Sequence, residues 1–323
     1  MQDPSSILDR ANSAFLFNEL DFKELTIVLA ELHVLYATCT GIKAGDITDE
    51  NIMLPSGKAV SPIRAAHCLL EHQRTRTFIR GIYKAILQLK KDFPGEQLHI
   101  LYAGCGPYAT LLTSFTRLFS SNEIRFHLLD VNAVSLTAVE QMYTALGLSD
   151  YVAEYICTDA TTYQLPTDHT THLIISETML NALRKEPQVD IMLNLVPQLE
   201  EKALFVPEDI TISAQLLSYR QEMEYLTTSQ KPERLLLENI YSIGRASFKP
   251  HEETVVTIPS DAGSFTHLSL LTQITTFDTE QLGMNESSLN LPVRITDIPG
   301  NEGRSLSFKY RRGEDPVFEH KWL

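Results

Sequence analysis

The chain has 323 residues, 43% of them hydrophobic and 21% charged, with a formal net charge of −14. That length admits two domains, or one with a large appendage, and the hydrophobic share is that of a globular protein. The acidic balance disfavours a nucleic-acid partner, which wants a basic surface, and suits a cationic one, because an acidic cleft steers cations.

No apolar run approaches the length of a membrane span, so no membrane association is expected. Cys39, Cys68, Cys105 and Cys157 form no CxxC pair and lie in apolar or small-residue contexts. A disulfide framework or zinc site is therefore not expected. The opening MQDPSSILDR carries acids early and lacks a basic n-region, which predicts that it is not a signal peptide. A reducing cytoplasm is the expected compartment.

In chain order, residues 6 to 40 place apolar residues at helical spacing, as in FKELTIVLAELHVLYATCTG, and stop at Gly41. Residues 43 to 60 read as loop. SPIRAAHCLLEHQRTRTFIRGIYKAILQLKKDF reads as one long amphipathic helix, with Ser61 as N-cap and Pro62 at its first position; Pro94-Gly95 ends it. Short apolar runs then alternate with helical ones. LHILYAG, IRFHLLDVN, VAEYICTDA and HLIISE are strand-like; ATLLTSFTRLF, AVSLTAVEQMYTALG and DIMLNLVPQLE are helical. That alternation predicts a doubly wound α/β core, with a parallel sheet and helices on both faces. KALFVPEDITISAQLL is extended, and beyond about residue 208 the chain reads as mostly β, in ETVVTIP, THLSLLTQITTFD, LPVRITDI and RSLSFKYRR. One helical insert, QKPERLLLENIYSIG, interrupts it. The expected organisation is an N-terminal helical segment (1–95), a Rossmann-like core (96–207) and a β-rich, barrel-like C-terminal domain (208–323).

Candidate binding residues sit at strand ends. Gly104 and Gly106 of ILYAGCGPYATLL allow close backbone approach, with the following helix offering its N-terminal amides; a tight strand-to-helix turn reads equally well. Asp130 ends the second core strand, where an acid can accept both ribose hydroxyls or cap the next helix. Asp159 ends the third, where it can meet an adenine amino group or serve as a turn acid. Three polar ends on successive strands predict one nucleotide or nucleoside crevice at the carboxyl edge of the sheet. A dinucleotide is disfavoured, because Ala109 stands where the third glycine of G-x-G-x-x-G would be. Glu177 and Glu186, in SETMLNALRKEP, follow the fourth strand: they are either solvated loop acids or a grip on a cation.

These motifs resemble a class I S-adenosylmethionine-dependent methyltransferase, and more closely the protein arginine methyltransferases. Three segments carry the resemblance. SETMLNALRKE is similar to that family's double-glutamate loop, with Glu177 and Glu186 at the family spacing and Met179 two after the first acid. RTRTF, residues 74 to 78, resembles the run that closes over the cofactor, and implies that Arg74 binds the methionine carboxylate; a surface arginine is the other reading. LEEKALFVPEDITI resembles the crossover into the family's β-barrel.

The resemblance implies S-adenosyl-L-methionine as cofactor and a guanidinium, of free arginine, a small guanidino compound or protein arginine, held by the two glutamates. It also implies Met179 near the acceptor nitrogen, and a homodimer formed through an arm in the C-terminal domain. The chain departs from the pattern at Tyr102, where an acid is usual, at Tyr108, where a glycine is usual, and at Gln188, where a methionine is usual. It has no Thr-His-Trp stretch; EHKW at 319 to 322 does not match, and His320 and Trp322 read as packing. The other nine histidines are scattered without metal-ligand spacing. Methyl transfer to another amine, and an inactive cofactor-binding scaffold, stay open as alternatives.

Overall fold

The computed structural model describes residues 3–42, 50–228, 230–247 and 253–323. The N-terminal part is helical. α1 (Pro4–Asn12) turns its apolar side inward through Ile7, Leu8 and Ala11. α2 (Phe22–Thr40) starts where Asp21 accepts from the Lys23 and Glu24 amides and ends where Gly41 takes a left-handed conformation. Residues 43–49 of the expected loop lie outside the described residues. The rest of that segment is a hairpin, β1 (Ile52–Leu54) and β2 (Gly57–Ala59), paired antiparallel around Pro55-Ser56.

The single long helix expected over residues 61–93 is broken. α3 (Pro62–His67) passes into a 3-10 turn at Cys68–Leu70, and α4 (His72–Asp92) starts afresh after an extended Glu71. Periodicity runs unbroken through this stretch, so the break is a tertiary effect. The Leu69 side chain is buried, the Thr75 hydroxyl donates to the Leu69 carbonyl at 2.9 Å, and Glu71 reaches across to Ser288.

The core is a parallel sheet of β3 (Leu98–Ala103), β4 (Ile124–Asp130), β5 (Val152–Cys157), β6 (Leu173–Ser176) and β7 (Leu204–Val206) in the order β5-β4-β3-β6-β7. α5 (Thr110–Thr113) is a single turn continued as a 3-10 turn, where a longer helix was expected. α6 (Ala133–Ala145) packs on the face that carries Phe126, with Phe126 and Tyr143 edge to face at 6.4 Å. α7 (Gln188–Leu195) precedes β7. The strands run outward from β3 in one direction and from β6 in the other. The crevice between the carboxyl ends of β3 and β6 is thus the switch point where such sheets take ligands.

The remainder is antiparallel. β8 (Asp209–Leu217) lies between β9 (Arg234–Gly244) and β11 (His267–Phe277), and β12 (Glu280–Leu282) and β13 (Val293–Asp297) both pair with β11. β10 (Thr254–Thr257), β14 (Ser305–Arg311) and β15 (Val317–Trp322) form a second sheet.

One expectation is corrected here. RLLLENIYSIG is strand β9, not a helical insert, and pairs with β8 from Leu217↔Arg234 to Asp209↔Gly244. Its apolar residues fit a period of two as well as one of 3.6, and the partner strand decides. The helix of this region is α8 (Tyr219–Thr228), just before it. EHKW lies within β15, where Trp322 packs beneath the Arg304 guanidinium at 3.9 Å and His320 beside Phe308. Among the described residues no helix is long and apolar enough to cross a membrane.

Candidate active site

A cavity of about 370 Å³ opens at the switch point, within the ~300–1,000 Å³ common for small-molecule sites. Arg74, Gly104, Gly106, Asp130, Asp159, Glu177, Met179 and Glu186 all line it, so residues 112 positions apart in sequence share one wall system.

The glycine turn after β3 requires its glycines. Gly104 and Gly106 have φ of +78° and +62°, a region that costs other residues strain. A Cβ at Gly104 would also lie 2.4 Å from the Thr178 side chain. Ala109, in the third glycine's place, is itself left-handed at φ +41°.

Asp130 is tied into this turn. One carboxylate oxygen accepts from the Gly106 amide at 2.9 Å and the other from the Asn132 amide at 2.8 Å. Burial pushes its carboxyl up, and these amides pull it back. Each carboxylate oxygen keeps a second lone pair, so Asp130 can brace the turn and still accept hydroxyls from the cavity. Asp159 accepts from the amide and hydroxyl of Thr161 at 2.9 and 2.8 Å through one oxygen, a turn-stabilising role, while its side chain borders the cavity.

Arg74 is buried rather than a surface residue. It donates to Glu71 through Nη1 at 2.8 Å and to both oxygens of Glu177 through Nη2 at 2.6 and 2.5 Å. Burial pushes Glu177 up, and the Arg74 charge offsets part of this. Glu186 differs from Glu177. It is buried, and among the described residues none donates to its carboxylate. Burial and then the charge of Glu177 push it up to about 7, with Lys58 and Arg74 opposing.

The loop that carries these acids is held in an unusual shape. Ala182, Leu183 and Lys185 have positive φ of 54°, 52° and 66°. Such residues cost on the order of 1–3 kcal/mol each and persist only where surroundings over-determine them. The β-domain supplies that restraint. Thr272 Oγ1 accepts from the Ala182 amide at 2.8 Å, the Tyr310 hydroxyl donates to the Leu183 carbonyl at 2.7 Å, and the Lys185 amide donates to the Pro316 carbonyl at 2.8 Å. At the base of the loop, Gln188 Oε1 accepts from the Thr178 amide at 2.9 Å, which gives the departure at this position a structural role. Tyr102 and Tyr108, the other two departures, are buried residues of the cavity wall.

Several contributors escaped the sequence reading. The β1–β2 hairpin covers one side of the cavity with Leu54 and Lys58, and Lys58 donates its amide to the Lys185 carbonyl at 2.7 Å. The signal was present in IMLPSGKAV, two short apolar runs around Pro-Ser-Gly. Glu71 joins Arg74 to the Ser288 amide and hydroxyl at 2.8 and 2.7 Å, and Ser288 borders the cavity from the β-domain. No local signal marked that long-range contact.

No family model matches the chain, and no curated protein matches it in sequence. Solved structures do match in shape. One is the Trypanosoma brucei PRMT1 enzyme–prozyme heterotetrameric complex with AdoHcy, at a TM-score of 0.51 and 12% identity, covering 77% of this chain and 89% of that one. The fold is of the protein arginine methyltransferase kind. At this identity the likeness concerns architecture: a helical N-terminal part, a parallel core sheet and antiparallel strands behind it.

Proposed function

We propose that the chain is an S-adenosylmethionine-dependent N-methyltransferase whose acceptor is a guanidinium clamped by Glu177 and Glu186. The observation that carries this reading is the pair of glutamates itself. One buried carboxylate already grips a guanidinium, that of Arg74, and the other is buried beside it with no donor among the described residues. An unpaired buried carboxylate is costly, and a planar cation with five donors relieves that cost through two-sided hydrogen bonding. The neighbour of like fold is a PRMT1 complex with AdoHcy, which favours the same cofactor class here.

The residues present fit such a cofactor. The left-handed glycines bring backbone against the cavity, Asp130 retains acceptor capacity for ribose hydroxyls, and Asp159 stands at the neighbouring strand end. Arg74 uses Nη1 and Nη2 on Glu71 and Glu177, and its remaining donors are available to a carboxylate. The cofactor supplies an electrophilic methyl on a sulfonium. Everything else falls to the chain. Glu177, fixed by Arg74, orients the acceptor, and Glu186 draws positive charge onto nitrogens other than the one attacked, restoring lone-pair character there. The proton leaves after transfer, so no strong base is needed. Met179, 1% exposed, packs at the wall beside the two acids.

Radiolabelled methyl transfer to free arginine and to an arginine-rich peptide tests the reading, in wild type and in Glu177→Gln and Glu186→Gln. Losing one buried charge partner costs about 3–5 kcal/mol, a rate loss of roughly a hundredfold to several thousandfold. Glu186→Gln should retain S-adenosylhomocysteine binding by calorimetry. Near-normal turnover in Glu186→Gln removes the clamp. Methyl transfer only to other amines redirects the acceptor, and none to any acceptor leaves a cofactor-binding scaffold.

A further inference from the structure

Three imidazoles converge on the core sheet at its other end. His99 is the second residue of β3, His127 lies within β4, and His169 sits in the segment entering β6. In register His99 stands opposite Arg125, so His99 and His127 project from one sheet face, opposite the face of Phe126. One ring nitrogen from each of the three lies within 4.8 Å of the other two.

Two of these nitrogens, His99 Nδ1 and His127 Nε2, are 2.9 Å apart. A hydrogen bond between two neutral rings explains that pair. It does not explain His169. Its Nδ1 is 2.9 Å from Asp168 Oδ1, a contact in which Nδ1 donates and the neutral ring offers a lone pair at Nε2. That Nε2 is buried and has no hydrogen-bond partner. A histidine with its far nitrogen on a carboxylate and its near nitrogen free is the arrangement of a metal ligand with its outer-shell support.

We propose that His99, His127 and His169 bind one borderline divalent transition-metal ion, zinc being the natural candidate, as a structural cross-link. Three imidazoles select zinc, nickel or copper over the oxygen-seeking magnesium and calcium. Zinc–nitrogen bonds of ~2.0–2.1 Å in a tetrahedron put ligand nitrogens about 3.3 Å apart, close to the His99–His127 separation. The three rings lie at 34°, 32° and 18° to one another, so sharing an ion requires the His169 ring to turn. Residues 158–172, which carry it, belong to no helix or strand and can supply that turn. The same segment begins with Thr158, Asp159 and Ala160 of the cavity wall. An ion here joins β3 and β4 to that wall and stiffens it, away from the reacting atoms.

The test uses full-length protein without a polyhistidine tag, stripped with chelator and titrated calorimetrically with zinc and, separately, magnesium. The expected result is one zinc per chain and no magnesium. His169→Gln should abolish zinc binding while keeping the metal-free circular dichroism and melting midpoint, since its ring lies on a partly exposed segment. Asp168→Ala should weaken zinc about tenfold to a hundredfold. Cobalt in place of zinc should give the visible bands of a tetrahedral site in wild type and not in His169→Gln. No stoichiometric zinc binding in wild type, or unchanged binding in His169→Gln, overturns the site. His127→Gln, if it folds, must also lose the metal.

Discussion

At the scale of single residues, Glu186 ties chemistry to stability. Its carboxyl, ordinarily near 4.5, is pushed up to about 7 by burial and by Glu177. A raised carboxyl binds its proton more tightly in the folded state than in the unfolded one. Its contribution is therefore full below the unfolded value and is lost as pH rises through about 7. Over that window the ligand-free protein should lose about 3 kcal/mol, an order of magnitude taken from the shift. Denaturant titrations at pH 5.5 and 8 should then show the stability of Glu186→Gln relative to wild type rising by about 2 kcal/mol from the lower pH to the higher. Turnover on the proposed guanidinium acceptor should run the other way, because such a cation needs the ionised form. The pH profile of kcat/KM should fall below about pH 7 with a slope of one proton, and Glu186→Gln should lack that limb. A flat profile in wild type between pH 6 and 8 removes Glu186 from the acceptor site. Glu177, already held by Arg74, shows why identical residue types nine positions apart behave differently: the sequence supplies the pair, and burial beside one arginine divides the roles.

At the scale of elements, the site is a strained loop clamped between a hairpin and the β-domain. Gly57, at φ +134°, is the closest point of that clamp, and a Cβ there would meet the Lys185 carbonyl at 2.8 Å. Gly57→Ala should displace the hairpin and lower turnover at least tenfold with little change in melting midpoint, since the hairpin is small and peripheral to the core. Tyr310→Phe removes the hydroxyl that donates to the Leu183 carbonyl and leaves that buried carbonyl unpaired, a loss of about 1–3 kcal/mol. Its signature should be a fall in kcat with S-adenosylhomocysteine binding retained, because Tyr310 holds the loop rather than the glycine turn. Equal losses of both would mean that the loop is not a separate unit. These contacts also explain what was legible. The glycine turn and the strand-end acids could be read because strand, turn and acid are local patterns. The restraints on the double-glutamate loop could not, because Thr272, Tyr310 and Pro316 lie 90 or more positions away on elements that meet it only after folding.

At the scale of the whole molecule, the parallel core was legible because short apolar runs, clearest in β3, β4 and β6, alternate with helical ones, a pattern that a parallel sheet with helices on its faces satisfies. The antiparallel half was less so: β9 reads at two periods, and β15 lacks any apolar run beyond Val317-Phe318. That correction also changes where the chain can pair with itself. Within the expected helical arm at residues 231–244, Arg234–Gly244 is an edge strand of the antiparallel sheet, and the N-terminal helices carry another exposed apolar surface. Ile27 and Val34 of α2 are 45% and 65% exposed and seven residues apart on one face, with Phe17, Leu20 and Phe22 exposed just before or at its start at 61%, 40% and 55%. Residues seven apart on a helix share the face that forms a seam between two helices, and a two-fold axis through it would double every contact. Burying such side chains contributes about 1.5–3 kcal/mol each, enough in a symmetric pair for micromolar association. Light scattering at micromolar protein should therefore give the mass of a homodimer. Val34→Glu places a charge in the seam from both copies and should shift the mass to that of one chain at the same concentration, with circular dichroism unchanged because Val34 faces solvent in the single chain. A dimer that survives Val34→Glu and Ile27→Glu together would move the interface to α8 and β9, where Tyr219, Met223 and Leu236 are the exposed apolar side chains. A wild-type mass of 36.4 kDa would rule out self-association altogether.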